Sequence, residues 1–149
     1  MDALQLLKAD HDKVKKLLTE GDATTERAEK TRTELFATIK RELTVHEEIE
    51  EKIFYPALRD HPKAKDIVLE AYEEHNVVDT IMTELEQTDV SDETWAAKFT
   101  VMKENLEHHI EEEEGEMFTQ ARSVFEREEL VALGDQMAAM KAKLTGAPA

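Results

Sequence analysis

The sequence predicts an all-α fold, an antiparallel up-down-up-down four-helix bundle followed by a short C-terminal helix. Three observations carry this. Gly and Pro number only 4 and 3 among 149 residues, so few positions interrupt a helix. Apolar residues step by three and four along four long segments, the spacing of a one-faced helix. The breaks between those segments are short, which makes consecutive helices antiparallel neighbours. One domain over residues 1–149 is expected, with the bundle over about 2–125, the last helix over about 126–144 and a frayed tail at 145–149.

The first helix is expected from Asp2 to Glu20, with Leu4, Leu7, His11, Val14 and Leu18 on one stripe. Gly21 reads as its stop and Asp22 as a cap for the next helix. The second helix is expected over about 24–59, facing inward with Leu35, Ile39, Leu43, His46, Glu50 and Ile53. Asp60-His61-Pro62 breaks it, and Pro62 suits the first turn of a third helix over about 63–87. That helix carries Val68, Tyr72, His75, Met82 and Leu85 in phase, with Val78 or Asp79 between. Ser91 is the expected N-cap of a fourth helix over about 92–125, with Trp95, Phe99, Met102, Leu106, His109, Glu113 and Met117 in phase. The last amphipathic segment contains Gly134, a candidate break.

The chain also repeats itself. His11 and His46-Glu47-Glu48-Ile49-Glu50 recur as His75 and His109-Ile110-Glu111-Glu112-Glu113, 64 and 63 residues later. The segment from Glu74-His75 onward aligns with that from Asp10-His11, so the bundle reads as two pseudo-symmetric helical hairpins. Each half offers a lone His, then a His with a Glu four residues on, and positions i and i+4 share a helix face. Four imidazoles and two carboxylates converging from four helices are suited to two transition-metal ions. The candidate ligands are His11, His46, Glu50, His75, His109 and Glu113.

Each ligand has a plainer alternative. A lone His on an apolar stripe is usually a satisfied core residue, and an acidic run is usually a solvated face. Phase selects Glu50 and Glu113 from their runs, because they precede the apolar Ile53 and Met117 by three and four residues. Of the adjacent His108 and His109, only His109 keeps step with Leu106 and Met102. His61 is expected to be exposed. Asp79, one turn after His75, is a further ligand, a hydrogen-bond acceptor or part of a polar lid. Tyr55, Tyr72 and Trp95 read as core or boundary residues rather than redox participants.

Composition excludes other chemistry. With no Cys there are no disulfides, thiolate zinc sites or iron–sulfur clusters. A formal net charge of −16 argues against nucleic acid and anionic membrane surfaces as partners. No signal peptide or membrane-length apolar run is apparent, so a soluble cytoplasmic protein is expected.

His11, His46-x3-Glu50 with the trailing Ile53-Phe54-Tyr55-Pro56, His75, and His109-x3-Glu113-Glu114 resemble the hemerythrin family, in its bacterial branch of His-His-Glu cation-binding domains. The resemblance implies a non-haem di-iron centre, with manganese as an alternative occupant. It implies that Glu50 and Glu113 bridge the ions, with His11 and His46 on one and His75 and His109 on the other. Oxygen-carrying members have a His-x3-His pair on the third helix and a His-x4-Asp motif on the last. Here Asp79 stands where the fifth His would be, and His109-x3-Glu113 replaces the last motif, although His108-x4-Glu113 keeps the older spacing. The pattern instead resembles the four-His, two-Glu subgroup linked to oxygen or iron sensing and peroxide handling. Two functions are therefore expected as alternatives: binding of O2, NO or peroxide, or catalase-like decomposition of peroxide. Iron storage in the ferritin manner is disfavoured, since no His has a Glu three residues before it.

Overall fold

The computed structural model describes residues 1–146, which form five helices. Helix α1, Ala3–Asp22, is opened by a capping box in which Asp2 accepts from the Gln5 amide and the Gln5 side chain accepts from the Asp2 amide. Helix α2 spans residues 29–59 as Glu29–Ile49, a π-helical turn Glu50–Phe54 and a last α-turn Tyr55–Arg59. A 3-10 turn, Pro62–Ala64, leads into α3, Lys65–Glu86. Helix α4 spans residues 93–124 as Glu93–Glu112, a second π-turn Glu113–Met117 and Phe118–Val124. Helix α5, Arg127–Thr145, ends at Gly146 with φ 71°. Residues 147–149, part of the expected frayed tail, lie outside the described residues.

The first four helices close the expected bundle, each packing on its chain neighbours and α4 returning onto α1, while α5 lies across α1 and α2. No described helix is long and apolar enough to cross a membrane. Two apolar clusters fill the interior. One holds Leu7, Ile49, Phe54, Tyr55, Leu58 and Met117. The other holds Val14, Leu18, Ile39, Leu43, Trp95, Phe99 and Leu106. Each such fully buried side chain contributes about 1.5–3 kcal/mol. One histidine from each of the four helices, with Glu47 and Glu50 of α2 and Glu113 of α4, is buried as well.

Several boundaries differ from the sequence expectation, for local or tertiary reasons. Helix α2 starts at Glu29 rather than Thr24, because the Thr24 hydroxyl donates to the Gly21 carbonyl and accepts from Arg32 Nε. Arg32 is itself buried, donates to the carbonyl of Val90 and lies 4.4 Å above the Trp95 ring, so it ties the two interhelical loops together. It takes the inward place expected for Leu35, which is only half-buried. Gly21 does not stop α1; it makes room for the Phe99 ring, whose Cζ would lie 2.3 Å from an added Cβ. Asp22 does not cap α2 and instead accepts from the Thr100 hydroxyl. The N-cap of α4 is Asp92, accepting from the Thr94 amide, while Ser91 is held by Asp89. Gly134 does not break α5; it is buried where that helix crosses the start of α1.

The π-turns change the inward phase. A wider turn holds one more residue than the stripe allows, so Phe54 is buried after Glu50 while Ile53 is only half-buried. Pro56, just past the first π-turn, lacks the amide that a regular turn would use. The two π-turns start 63 residues apart, so the backbone irregularity obeys the same duplication as the candidate ligands.

Candidate metal centre

All six expected ligands meet at mid-bundle. His11, His46, Glu50 and Glu113 offer atoms within 4.8 Å of one another, and so do Glu50, His75 and His109. Glu50 Oε1 stands 3.2 Å from Nε2 of both His46 and His75. Glu113 reaches His11 Nε2 through Oε1 at 3.4 Å and His109 Nε2 through Oε2 at 3.1 Å. Each carboxylate therefore spans both halves, while the rings pair within each hairpin, His11 with His46 at 4.9 Å and His75 with His109 at 5.0 Å.

The inward atoms lack hydrogen-bonding partners. Nε2 of His11, His46 and His109, both oxygens of Glu50 and Oε1 of Glu113 are buried and make no hydrogen bond among themselves despite their ion-pair distances. Orphaned buried donors and acceptors are costly, and six converging in one place fit a cation that would satisfy them all. The donor set is imidazole nitrogen and carboxylate oxygen, which suits a transition-metal cation.

The outward nitrogens form an arrangement that the acidic runs concealed. His46 Nδ1 contacts Asp10 at 3.0 Å, His75 Nδ1 contacts Glu51 at 2.9 Å, His109 Nδ1 contacts Glu74 at 2.8 Å and His11 Nδ1 contacts Glu114 at 2.7 Å. A carboxylate at Nδ1 fixes the tautomer that turns Nε2 inward and raises its donor strength. The four acids obey the repeat too, Asp10 pairing with Glu74 and Glu51 with Glu114 at intervals of 64 and 63. The duplication was the signal that could have found them.

Other residues fall as follows. His108 is exposed, 3.2 Å from Glu112. His61, expected to be exposed, is half-buried with its ring edge-on to Phe125 at 5.1 Å. Asp79 does not reach the converging atoms; it lies half-buried beside Glu47. Glu47 itself is buried rather than solvated, and burial pushes its carboxyl up to about 8 despite the neighbouring His75. Trp95 is core, and Tyr72 is half-buried with its hydroxyl near the Glu51 carbonyl. Tyr55 is core as expected and does more, because its hydroxyl donates to Glu113 Oε2 at 2.7 Å and lies 3.3 Å from His75 Nε2. Its counterpart in the repeat, Phe118, stacks on His11 without a hydroxyl.

Electrostatics prepare the metal-free site for exchange with protons. Burial opposes a charged His46, yet Glu50 and Asp10 prevail and the ring is pushed up to about 10. Burial likewise opposes charge on His75, and Glu50 pushes it up to about 9. Burial opposes the Glu113 charge, but the adjoining Glu50 carboxyl and the rings of His109 and His11 hold its carboxyl well below the usual range. The raised histidines stabilise the metal-free fold below their ordinary range near 6.5, and this contribution is lost as pH rises through about 9 and 10. Metal uptake at pH 7 is thus expected to release protons, with apparent affinity climbing until pH passes that window. Calorimetry in two buffers of different ionisation enthalpy measures the release; an affinity flat from neutral to alkaline pH would contradict it.

Comparison with known proteins agrees with this geometry. No curated protein matches the chain. A crystal structure of a hemerythrin HHE cation-binding domain-containing protein from Mycobacterium kansasii is similar, with 30% identity and a TM-score of 0.87 over 98% of this chain and 88% of that one. The family profile of the hemerythrin HHE cation-binding domain matches residues 2–121, which contain every converging His and Glu. With its all-helical bundle and buried His/Glu cluster, the chain belongs to the hemerythrin HHE cation-binding domain family and is a metal-binding domain.

Proposed function

We propose that the chain holds a non-haem di-iron centre that binds O2 or a related small molecule, NO or peroxide, for sensing, storage or detoxification. His11 and His46 hold one ion, His75 and His109 the other, and Glu50 and Glu113 are shared. The observation that carries this reading is the set of buried, partnerless nitrogen and oxygen atoms converging from both hairpins. Manganese is the alternative occupant, since the same donors suit it. When bound, two adjacent irons supply a pair of electrons to a ligand of the dioxygen class.

The chain's own part is to orient, to exclude and to hold protons. Asp10, Glu51, Glu74 and Glu114 orient the rings. Val14, Leu43, Val78, Leu106 and Ile110 wall a cavity against the four histidines, with about 10 Å³ open to the centre of a water-sized molecule. That is about the room of a single water molecule, so the walls hold the space beside the histidines nearly closed.

A specific observation favours the catalase-like reading as the second. Asp79 stays away from the converging atoms, so an ion held by His75 would gain no ligand from it, and the Tyr55 hydroxyl would stand beside that ion as a proton donor. In that reaction one peroxide is oxidised to O2 while another is reduced to two waters, so protons must move at the site.

The test is to load the chain with ferrous iron without air, add O2 and follow visible absorption, then add peroxide and measure evolved O2. A reversible adduct without turnover supports binding. Sustained O2 evolution supports the enzyme. Absence of any iron-dependent optical change with either ligand would sink both.

A further inference from the structure

The two halves repeat in ligands but not in charge. In the first half, Asp10 grips His46 through one oxygen and Lys141 Nζ through the other, at 2.5 Å. Glu114, which holds His11, has Lys8 within 3.7 Å. In the second half, no Lys or Arg among the described residues comes within 4 Å of Glu51 or Glu74. Their neighbours are more carboxyls: Glu47 beside Glu51, and Glu112 beside Glu74 together with the exposed His108. The repeat locates the change, since the position 64 residues after Lys8 is Tyr72. Lys141 belongs to α5, outside both the duplication and the residues that the family profile matches.

Resting on the two-ion reading above, we propose that the two metal positions are electrostatically unequal. Lys141 on α5 weakens cation binding at the His11–His46 half, so that the His75–His109 half fills first. Lys141 acts as a positioning residue through Asp10, in two ways of the same sign. Its charge repels a dication beyond His46, and it draws carboxylate charge away from the His46 Nδ1 hydrogen bond, which makes Nε2 a poorer donor. Lys8 adds to this from a longer distance, with Asp12 as its nearer partner at 2.8 Å. The Lys141 side chain is 36% exposed, so solvent screens part of the effect. Changes to groups that orient metal ligands typically shift affinity by 10–100-fold, and the lower end, about tenfold, is the expected separation.

The experiment titrates cobalt(II), an air-stable stand-in with visible absorption, into the metal-free full chain. Two ions per chain are expected in two phases about tenfold apart. Lys141→Met should tighten the weaker phase and leave the tighter one unmoved, drawing the two together. Lys141→Arg should restore the wild-type separation, and Lys30→Met, on the exposed start of α2, should change neither phase. His46→Gln should abolish the weaker phase and His109→Gln the tighter. Two equal phases in the wild type, a Lys141→Met chain with unaltered phases and an intact helical spectrum, or a shift confined to the tighter phase would each overturn the proposal. One cobalt per wild-type chain would instead overturn the two-ion reading on which it rests.

Discussion

Stripping the metal with a chelator is expected to lower the thermal midpoint by about 10 °C while leaving the bundle folded. A ligand that binds only the folded state, at a thousandfold over its dissociation constant, stabilises by about 4 kcal/mol. A domain of this size loses roughly 2–4 °C per kcal/mol. The chain stays folded without metal because the protonated rings of His46 and His75 then face Glu50. Glu113→Gln is the matching substitution. It removes the carboxylate that spans His11 and His109, so the metal content should fall to one ion or none per chain. The midpoints with and without metal should then nearly coincide. Melting curves and elemental analysis check both, and a wild-type midpoint indifferent to the chelator would defeat the expectation.

Gly134→Ala is expected to destabilise by about 3 kcal/mol, although Gly→Ala within a helix ordinarily stabilises by up to about 1 kcal/mol. An added Cβ would lie 2.5 Å from the Met1 carbonyl oxygen, 2.7 Å from the Asp2 carbonyl carbon and 2.8 Å from the Ala3 amide nitrogen. All three are backbone atoms at the capped start of α1, so no side chain can turn aside. Either α5 lifts or the Asp2 cap is lost. Gly115→Ala is the control, because no atom beyond its own stretch of helix lies within 4 Å of its Cβ position, and it should be neutral or stabilising. Denaturant titrations of the two variants should therefore move in opposite directions, and equal shifts would refute the close-approach account.

Two glycines, Gly21 and Gly134, mark what a sequence shows and what it conceals. Gly21 and Gly134 read as helix breakers, because local propensity sees the missing Cβ and not the helix pressed against it. The six converging residues were legible because each keeps helical phase with apolar neighbours and recurs in the repeat. Phase failed just past the site, where the π-turn buries Phe54 in the place expected for Ile53. It failed also for Asp10, Glu51, Glu74 and Glu114, which lie off the apolar stripe. Their partners are on neighbouring helices, and only tertiary packing brings a histidine to each. Arg32 escaped notice for a similar reason, since its neutral partners Thr24, Val90 and Trp95 lie in separate parts of the chain.

The four outward contacts have one more consequence. Asp10 of α1 serves α2, Glu51 of α2 serves α3, Glu74 of α3 serves α4 and Glu114 of α4 serves α1. Every acid addresses the next helix, and the circuit closes. Apolar stripes alone do not set the sense in which a four-helix bundle winds, because the mirror-wound arrangement buries the same faces. The circuit tells the two apart. Asp10 and Glu74 stand one residue before the inward His of their helices, whereas Glu51 and Glu114 stand one after the inward Glu. In a bundle wound the other way, Asp10 would face α4 instead of α2, and all four carboxylates would face the wrong neighbour. The residues that aim the imidazoles are thus matched to their partners in one hand of the bundle and not in the other.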